Sequence, residues 1–395
     1  MRIAQINCVY AKGSTGRIVE ALHHAYQARG HESFVMYGRG RAPAEDGVQK
    51  VGLELPSKAR SAISRISGNI YGMAALPTWY IQNTIARIRP DVVHLHCTNG
   101  NFCNIFRLLI WLKQSQIPTV VTQHAEFFYT GNCGYAFDCE QWKTGCRSCP
   151  DPKGAIGARR SQAARQNWLR MKQAFEGFQR LQLVGVSDWV TKRSNASLIL
   201  GQYHCKTVLN GLDTSIFHYT GGDTSGTSKR EVIYVTPRFE DENKGGRFLL
   251  ELARKTADLP IHYTVAGETA GEYDAPNITF MGPVSDATTL ARLYSNADAC
   301  LLTSRRETFS MVTAEALCCG TQVVGFEAGA PERISIPEYC AFVPYGDLGA
   351  LRTALLEQLS RNTDRKRLSE TAKQKYGSER MAEEYLDTYR TLIEG

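Results

Sequence analysis

Two carboxylates, Glu307 and Glu315, stand eight positions apart in the run R-E-T-F-S-M-V-T-A-E, with small and apolar residues between them. Carboxylates accept paired hydrogen bonds from adjacent hydroxyls. On a helix that opens at Glu307, Glu315 falls about two turns later and roughly 80° round. Both would then border one pocket, with a sugar at one end and a ribose at the other. Earlier, T-P-R-F-E-D-E-N-K-G-G places Arg238 and Lys244 just past a strand's carboxyl end, where open α/β sheets bind ligands. An Arg that forks onto phosphate oxygens, beside a Lys acting as a point charge, would neutralise a diphosphate. The plainer alternative is a solvated loop paired with Glu240, Asp241 and Glu242, a trio with no obvious metal spacing.

Near the start, Gly13, Ser14, Thr15 and Gly16 spell G-S-T-G between the first strand and first helix. Glycines let backbone amides approach an anion there, and the helix N-terminus favours negative charge. The full G-x-G-x-x-G is absent, so a tight turn is the competing reading. Four of the twelve cysteines, Cys133, Cys139, Cys146 and Cys149, follow the spacing C-x5-C-x6-C-x2-C. Such a run predicts a closed tetrahedral zinc site, structural because it keeps no open position. Reduced thiols are the alternative. The other eight cysteines sit in apolar contexts and read as small core residues.

These groups need elements to hold them. R-I-A-Q-I-N-C-V, S-F-V-M-Y, D-V-V-H-L-H, P-T-V-V-T-Q-H, L-Q-L-V-G-V-S and K-T-V-L-N-G read as strands in the first half. Helical periods such as R-I-V-E-A-L-H-H-A-Y and N-I-F-R-L-L-I-W-L-K alternate with them. E-V-I-Y-V-T, I-H-Y-T-V-A-G, I-T-F-M-G, A-C-L-L-T and Q-V-V-G-F continue the rhythm. Alternating strands and helices predict parallel sheets covered on both faces. With 395 residues, too many for one ordinary core, this means an α/β chain of two Rossmann-like domains hinged near Asn210-Gly211.

Composition bounds the function. Hydrophobic content of 43% and charged content of 22% are those of a globular protein. The N-terminus lacks the pattern of a signal peptide and no apolar run is long enough to span a bilayer, so a cytoplasmic chain is expected. The net charge of +7 conceals a split: 26 Lys and Arg against 12 Asp and Glu up to Lys206, and 20 against 27 beyond it. A basic half suits an anionic partner: a membrane surface, a nucleic acid or a phosphorylated substrate. Between Glu54 and Asp91 there is no acid but five bases, Lys58, Arg60, Arg65, Arg87 and Arg89, among Ile63, Ile66, Ile70, Tyr71, Met73, Leu76, Trp79 and Tyr80. A second run from Lys153 to Lys172 holds Arg159, Arg160, Arg165 and Arg170 around Trp168 and Leu169. Bases mixed with aromatics suit an anionic membrane interface. A nucleic-acid binder would explain the bases and not the acids, so no nucleic acid is expected.

Taken together, G-S-T-G-R-I, D-V-V-H-L-H, T-Q-H before the cysteines, V-L-N-G-L-D, R-x5-K-G and E-x7-E followed by A-L-C-C-G-T-Q-V-V stand in a telling order. In that order and spacing the whole chain resembles glycosyltransferase family 4, and the T-G-x-C and W-K-T-G-C-x-x-C-P runs resemble a bacterial polysaccharide subset of it. The resemblance implies a GT-B fold, two Rossmann-like domains facing a central cleft. Residues 1–206, with a C-terminal helix of about 376–395 packing back, would be the acceptor side; residues 207–375 would bind the nucleotide sugar. It implies that Glu315 binds the ribose hydroxyls and Glu307 the donor sugar, while Arg238 and Lys244 hold the diphosphate. Amides of Phe309, Ser310 and Met311 would line the sugar, and Gly282, Pro283 and Val284 would lie beside the base. Gly16 and its loop would close over the phosphates, and His124 matches the family's active-site histidine. The implied activity is retaining transfer, of a hexose by the family's pattern, from a UDP- or GDP-linked sugar to a polyprenyl-diphosphate-linked saccharide during bacterial O-antigen, capsule or exopolysaccharide assembly. The enzyme would sit peripherally at the inner face of the cell membrane and need no catalytic metal, because protein cations replace it. A GT-B sugar-nucleotide epimerase and a non-catalytic nucleotide binder are the rivals. Ala-Glu-Phe-Phe after His124, and Thr308 after Glu307, depart from the family pattern; both bear on which sugar and acceptor are used.

Overall fold

A computed structural model of the chain describes residues 1–158, 160, 162–221 and 229–395. The chain divides into two compact units: Met1–Leu209 with Met381–Gly395, and Asn210–Arg380. In the first, β1 (Arg2–Asn7), α1 (Gly13–Ala28), β2 (Glu32–Tyr37), β3 (Val48–Lys50), α2 (Glu54–Ser67), α3 (Ala75–Ile88) and β4 (Val92–Leu95) come first. Then follow α4 (Ile105–Gln114), β5 (Thr119–Gln123), α5 (Pro152–Ile156), α6 (Ala163–Phe175), β6 (Leu181–Gly185), α7 (Asp188–Asn195) and β7 (Cys205–Thr207). The seven strands form one parallel sheet ordered β3-β2-β1-β4-β5-β6-β7. Burial follows position: β4 and β5 are buried at every residue, while the edge strand β3 is half-buried throughout. Helices on both faces of a parallel sheet demand continuous apolar strands, which V-V-H-L and T-V-V-T-Q nearly supply. Ile6, Leu95, Leu109, Val121, Phe127 and Trp142 belong to one core.

The second unit repeats the plan. It comprises β8 (Arg230–Arg238), α8 (Gly246–Lys255), β9 (Ile261–Glu268), β10 (Ile278–Gly282), α9 (Ala287–Asn296) and β11 (Ala299–Leu302). α10 (Met311–Cys318), β12 (Gln322–Phe326), α11 (Pro331–Ile334), β13 (Cys340–Val343), α12 (Leu348–Ser360) and α13 (Arg365–Tyr376) complete it. Its sheet is also parallel, in the order β10-β9-β8-β11-β12-β13. Val232, Leu249, Val265, Leu301, Val324 and Leu355 share its core. The last helix, α14 (Ser378–Glu394), belongs to the first unit from Met381 onward. Its Tyr385 hydroxyl bonds Thr122 Oγ1 at 2.9 Å and its Tyr389 hydroxyl bonds His94 Nδ1 at 2.6 Å, which fixes the helix against β4 and β5.

In each sheet the chain builds outward on one side of its first strand and then jumps to the other. The reversal lies between β1 and β4 in the first unit and between β8 and β11 in the second. At such a switch point the loops leaving adjacent strand ends diverge and open a crevice, the usual ligand position of open α/β sheets.

Past β5 the first unit carries a long irregular segment organised by one buried acid. Glu126 is fully buried. Its Oε1 accepts from Arg193 Nε at 2.7 Å and from the Tyr129 hydroxyl at 2.9 Å, and its Oε2 accepts from the Ala136 amide at 2.7 Å. The Arg193 guanidinium also lies 4.6 Å from the Trp142 ring and 4.7 Å from that of Trp189. A buried carboxylate is tolerable only with such partners. Arg193→Ala would strand it, so we expect a loss of about 3–5 kcal/mol in urea unfolding. A loss below about 1 kcal/mol would place the pair with ordinary surface ion pairs.

Candidate active site

β8 ends in Thr236-Pro237-Arg238. Pro237 has no N–H for the ladder, and the β8–β9 register shifts between Val235 and Arg238. Arg238 thus leaves the sheet with its side chain 64% exposed, 3.9 Å from Glu240 Oε2. Glu240 is engaged elsewhere: its Oε1 accepts from the Ala270 and Gly271 amides, Thr269 Oγ1 and the Tyr273 hydroxyl. The Ala270 amide leads in holding its carboxyl down at about 2. Asp241 Oδ1 accepts from the Asn243 amide. Glu240 thus shapes its loop through Oε1 and faces Arg238 through Oε2, while Asp241 holds the turn.

The loop then turns at Gly245, which caps α8 with φ 71°. A Cβ there would lie 2.4 Å from the Thr303 carbonyl, so only glycine lets the loop approach β11 this closely. The Lys244 carbonyl accepts from the Tyr234 hydroxyl and Thr303 Oγ1 at 2.7 and 2.8 Å. With its backbone fixed, Lys244 sends Nζ to Glu307 Oε1 at 2.6 Å. The residue expected at the diphosphate and the residue expected at the sugar are therefore paired with each other. An ammonium has three donors, so one bond to Glu307 leaves Lys244 able to reach phosphate oxygens as well.

Glu307 does not open a helix. The helix expected to begin there starts at Met311, so the two-turn, 80° relation to Glu315 does not hold. Its N-cap is Ser310, at φ 80°, whose Oγ accepts from the Thr313 amide at 3.2 Å. Glu307 instead lies in the β11–α10 loop as an isolated parallel bridge to Gly329, its amide donating to the Ala328 carbonyl. The bridge to Gly329 overrides the local helix preference at Glu307. Phe309 is buried beside Ser310. Glu315 sits within α10, 8% exposed, its Oε2 accepting from the Tyr294 hydroxyl at 3.0 Å. Burial, with the Glu315 charge beside it, pushes the Tyr294 phenol well up, so it keeps the proton it donates.

The structure thus joins Lys244 to Glu307 through loops that leave the adjacent strands β8 and β11, and Arg238 stands at the end of β8. Gly282, at φ 76°, ends β10, two places from β8 in the sheet, and Pro283 and Val284 follow it. Sequence reasoning missed Asn243, whose Oδ1 accepts from the Arg306 amide and whose Nδ2 donates to the Arg306 carbonyl, both at 3.0 Å. It clamps the Lys244 loop to the Glu307 loop. It also missed Tyr294, which reads as an ordinary apolar position of a helix.

In the first unit, Gly13, Ser14, Thr15 and Gly16 form the first turn of α1, and the Gly16 carbonyl accepts from the Ala11 amide. Thr15 bonds the Cys97 thiol, which burial pushes up to about 12. His124 follows β5 directly and is 8% exposed. The four clustered cysteines Cys133, Cys139, Cys146 and Cys149 are free thiols, and Cys133 feels the other three electrostatically. Among the described residues no group of three or more His, Cys, Asp or Glu could hold a metal ion. The segment is organised by Glu126 rather than by the thiols. Of the other eight cysteines, Cys103, Cys205, Cys300, Cys318 and Cys319 are buried as expected, while Cys8, Cys97 and Cys340 are half-buried.

With this geometry in hand, comparison with known proteins is informative. The model described as Glycosyltransferase Family 4 matches residues 15–215, just over half of the chain, and that described as Glycosyl transferases group 1 matches residues 230–361. The chain belongs to glycosyltransferase family 4. It is accordingly an enzyme of the glycosyltransferase class. WcaC of Escherichia coli K12, described as a colanic acid biosynthesis glycosyl transferase, is 23% identical over 419 residues, covering 99% of this chain and 100% of that protein. Sucrose-phosphate synthase from Thermosynechococcus elongatus has the same fold, with a TM-score of 0.70, 17% identity and coverage of 100% and 99% of the two chains. HepE from Anabaena, in a structure with UDP and glucose, gives 0.63, 16% identity and coverage of 99% and 100%. The two parallel-sheet Rossmann-like units of this family member are those of the GT-B fold.

Proposed function

We propose that this glycosyltransferase moves a sugar, with retention, from a nucleotide-diphosphate sugar to a lipid-linked saccharide in bacterial surface polysaccharide assembly. The reading rests above all on the Lys244–Glu307 pair at the β8–β11 switch point, with Arg238 at the end of β8. The WcaC likeness supports the polysaccharide pathway, and HepE supports a nucleotide-linked donor. In this reading Glu315 binds the ribose hydroxyls, with its second oxygen anchored by Tyr294, and Glu307 binds the sugar. Gly282, Pro283 and Val284 flank the base, and amides from Phe309 to Met311 line the sugar. Arg238 and Lys244 stabilise the charge that develops on the leaving diphosphate. That diphosphate accepts the proton of the acceptor hydroxyl on the same face that the acceptor attacks. No carboxylate need act as a covalent nucleophile, and no divalent ion is required for charge. A panel of UDP- and GDP-sugars with polyprenyl-diphosphate saccharides, read by mass spectrometry, tests this. Lys244→Ala and Arg238→Ala should each lower kcat by about 10²–10³, and EDTA should leave transfer intact. Conversion of donor without acceptor would favour an epimerase; turnover with no donor in the panel would leave a nucleotide binder.

We also propose that the first unit docks on anionic membrane. α2 buries only Ser57 and Ser64 and turns Leu55, Ile63 and Ile66 outward, at 80%, 50% and 58% exposure, beside exposed Lys58 and Arg65. α3 likewise exposes Leu76, Trp79 and Tyr80. An apolar helix face turned to solvent and flanked by bases suits a bilayer interface, where each Lys or Arg contributes about 1 kcal/mol. The surface is narrower than the sequence suggests. Ile70 and Trp168 are buried, Arg165 stacks on Trp168, and Arg60 donates to the Asn101 carbonyl. Arg159 lies outside the described residues. No helix among the described residues is long and apolar enough to cross a membrane. The protein should float with anionic vesicles at low salt and detach as salt rises; partition into solution with anionic and neutral vesicles alike would favour a soluble acceptor.

Zinc at Cys133, Cys139, Cys146 and Cys149 stands as a proposal, supported by the C-x2-C spacing. Elemental analysis of protein purified without added metal should find one zinc per chain, and chelation should lower the melting temperature. Metal-free protein with an unchanged melting temperature would leave the four residues as reduced thiols.

A further inference from the structure

β1, β4 and β5 are neighbours in the first sheet. Near their carboxyl ends, Gln5, His96 and His124 form a buried row, with 0%, 0% and 8% exposure. Gln5 Oε1 lies 3.2 Å from His96 Nε2, and His96 Nδ1 lies 3.2 Å from His124 Nε2. The His96 and His124 rings are stacked at 5.5 Å. His94 braces His96 from the other side, with ring centroids 3.8 Å apart. It is itself held by the Tyr389 hydroxyl and Thr122 Oγ1. Burial pushes His94 and His96 well below the ordinary histidine range and His124 down to about 3. All three are therefore neutral near pH 7, each with one N–H and one lone pair.

The polarity of the row then follows. A carbonyl oxygen only accepts, so His96 carries its proton on Nε2. Its Nδ1 is then an acceptor, so His124 must donate from Nε2. We propose that Gln5 and His96 are positioning residues that lock His124 as the Nε2–H tautomer, with the lone pair on Nδ1.

The positioning role rests on His124 belonging to the site; the tautomer does not. The test is side-chain NMR of protein labelled with 15N-histidine, with His124 assigned through His124→Gln. The wild-type protein should show His124 neutral and protonated at Nε2. Gln5→Met and His96→Leu should give mixed tautomers at His124 and lower kcat about tenfold or more, with donor KM little changed. His96→Asn keeps an oxygen for the His124 N–H and should restore both tautomer and rate in large part. A wild-type His124 protonated at Nδ1, which would mean that the Gln5 amide faces the other way, overturns the inference. So does an unchanged tautomer in His96→Leu; should that variant fail to fold, the wild-type and Gln5→Met spectra still decide. Transfer at the wild-type rate by His124→Ala would remove the positioning role and leave the tautomer assignment standing.

Discussion

A parallel sheet covered by helices on both faces meets solvent only at its strand ends. Everything polar in this protein is organised by that constraint. Interior strands such as β4, β5, β11 and β12 are buried at every residue, so groups that need water or a ligand are confined to the loops that leave them. Parallel connections return each strand in the same direction, so all the carboxyl ends share one edge. Lys244 and Glu307 meet there because β8 and β11 are adjacent, although 63 positions separate them, and Arg238 ends β8 at the same edge.

Polar groups that do enter the interior show what entry requires. Glu126 has an arginine, a phenol and an amide on its two oxygens. His94 has both ring nitrogens occupied. Glu315, nearly buried, has a phenol that burial keeps protonated. Arg193, Tyr389, Thr122 and Tyr294 come from other elements than the groups they bond, so the polar interior doubles as a set of cross-links between elements. In the second unit, Asn243 does the same for two loops, and it holds the Lys244–Glu307 pair in register without touching either charge.

The membrane reading and the cysteine reading diverge once coordinates are available. Bases and apolar residues in α2 and α3 turn outward together, whereas in the Lys153–Lys172 run Trp168 turns inward and takes Arg165 with it. Composition treats both runs alike; only packing separates a docking face from a core face. The four cysteines are close in sequence and in space, yet their segment is held by Glu126 and Trp142, which no spacing rule would select.

Alternating apolar strands and helical periods were enough to establish two α/β units and most of their elements, because a strand buried on both faces must be apolar along its length. The R-x5-K-G and E-x7-E spacings marked Arg238, Lys244, Glu307 and Glu315 for the same kind of reason: charge placed next to strand ends has little other use. The stretch from Pro56 to Pro90 showed no clear period, since α2 buries serines and exposes its apolar residues. The start of α10 was legible only in three dimensions, because the bridge to Gly329 outweighs local helix preference at Glu307. Pairings such as Lys244 with Glu307, Glu126 with Arg193 and His96 with His124 belong wholly to the tertiary structure. A sequence states which groups can donate, accept or carry charge; which of them meet is decided by strand order and register, which bring distant residues within 3 Å or so of one another.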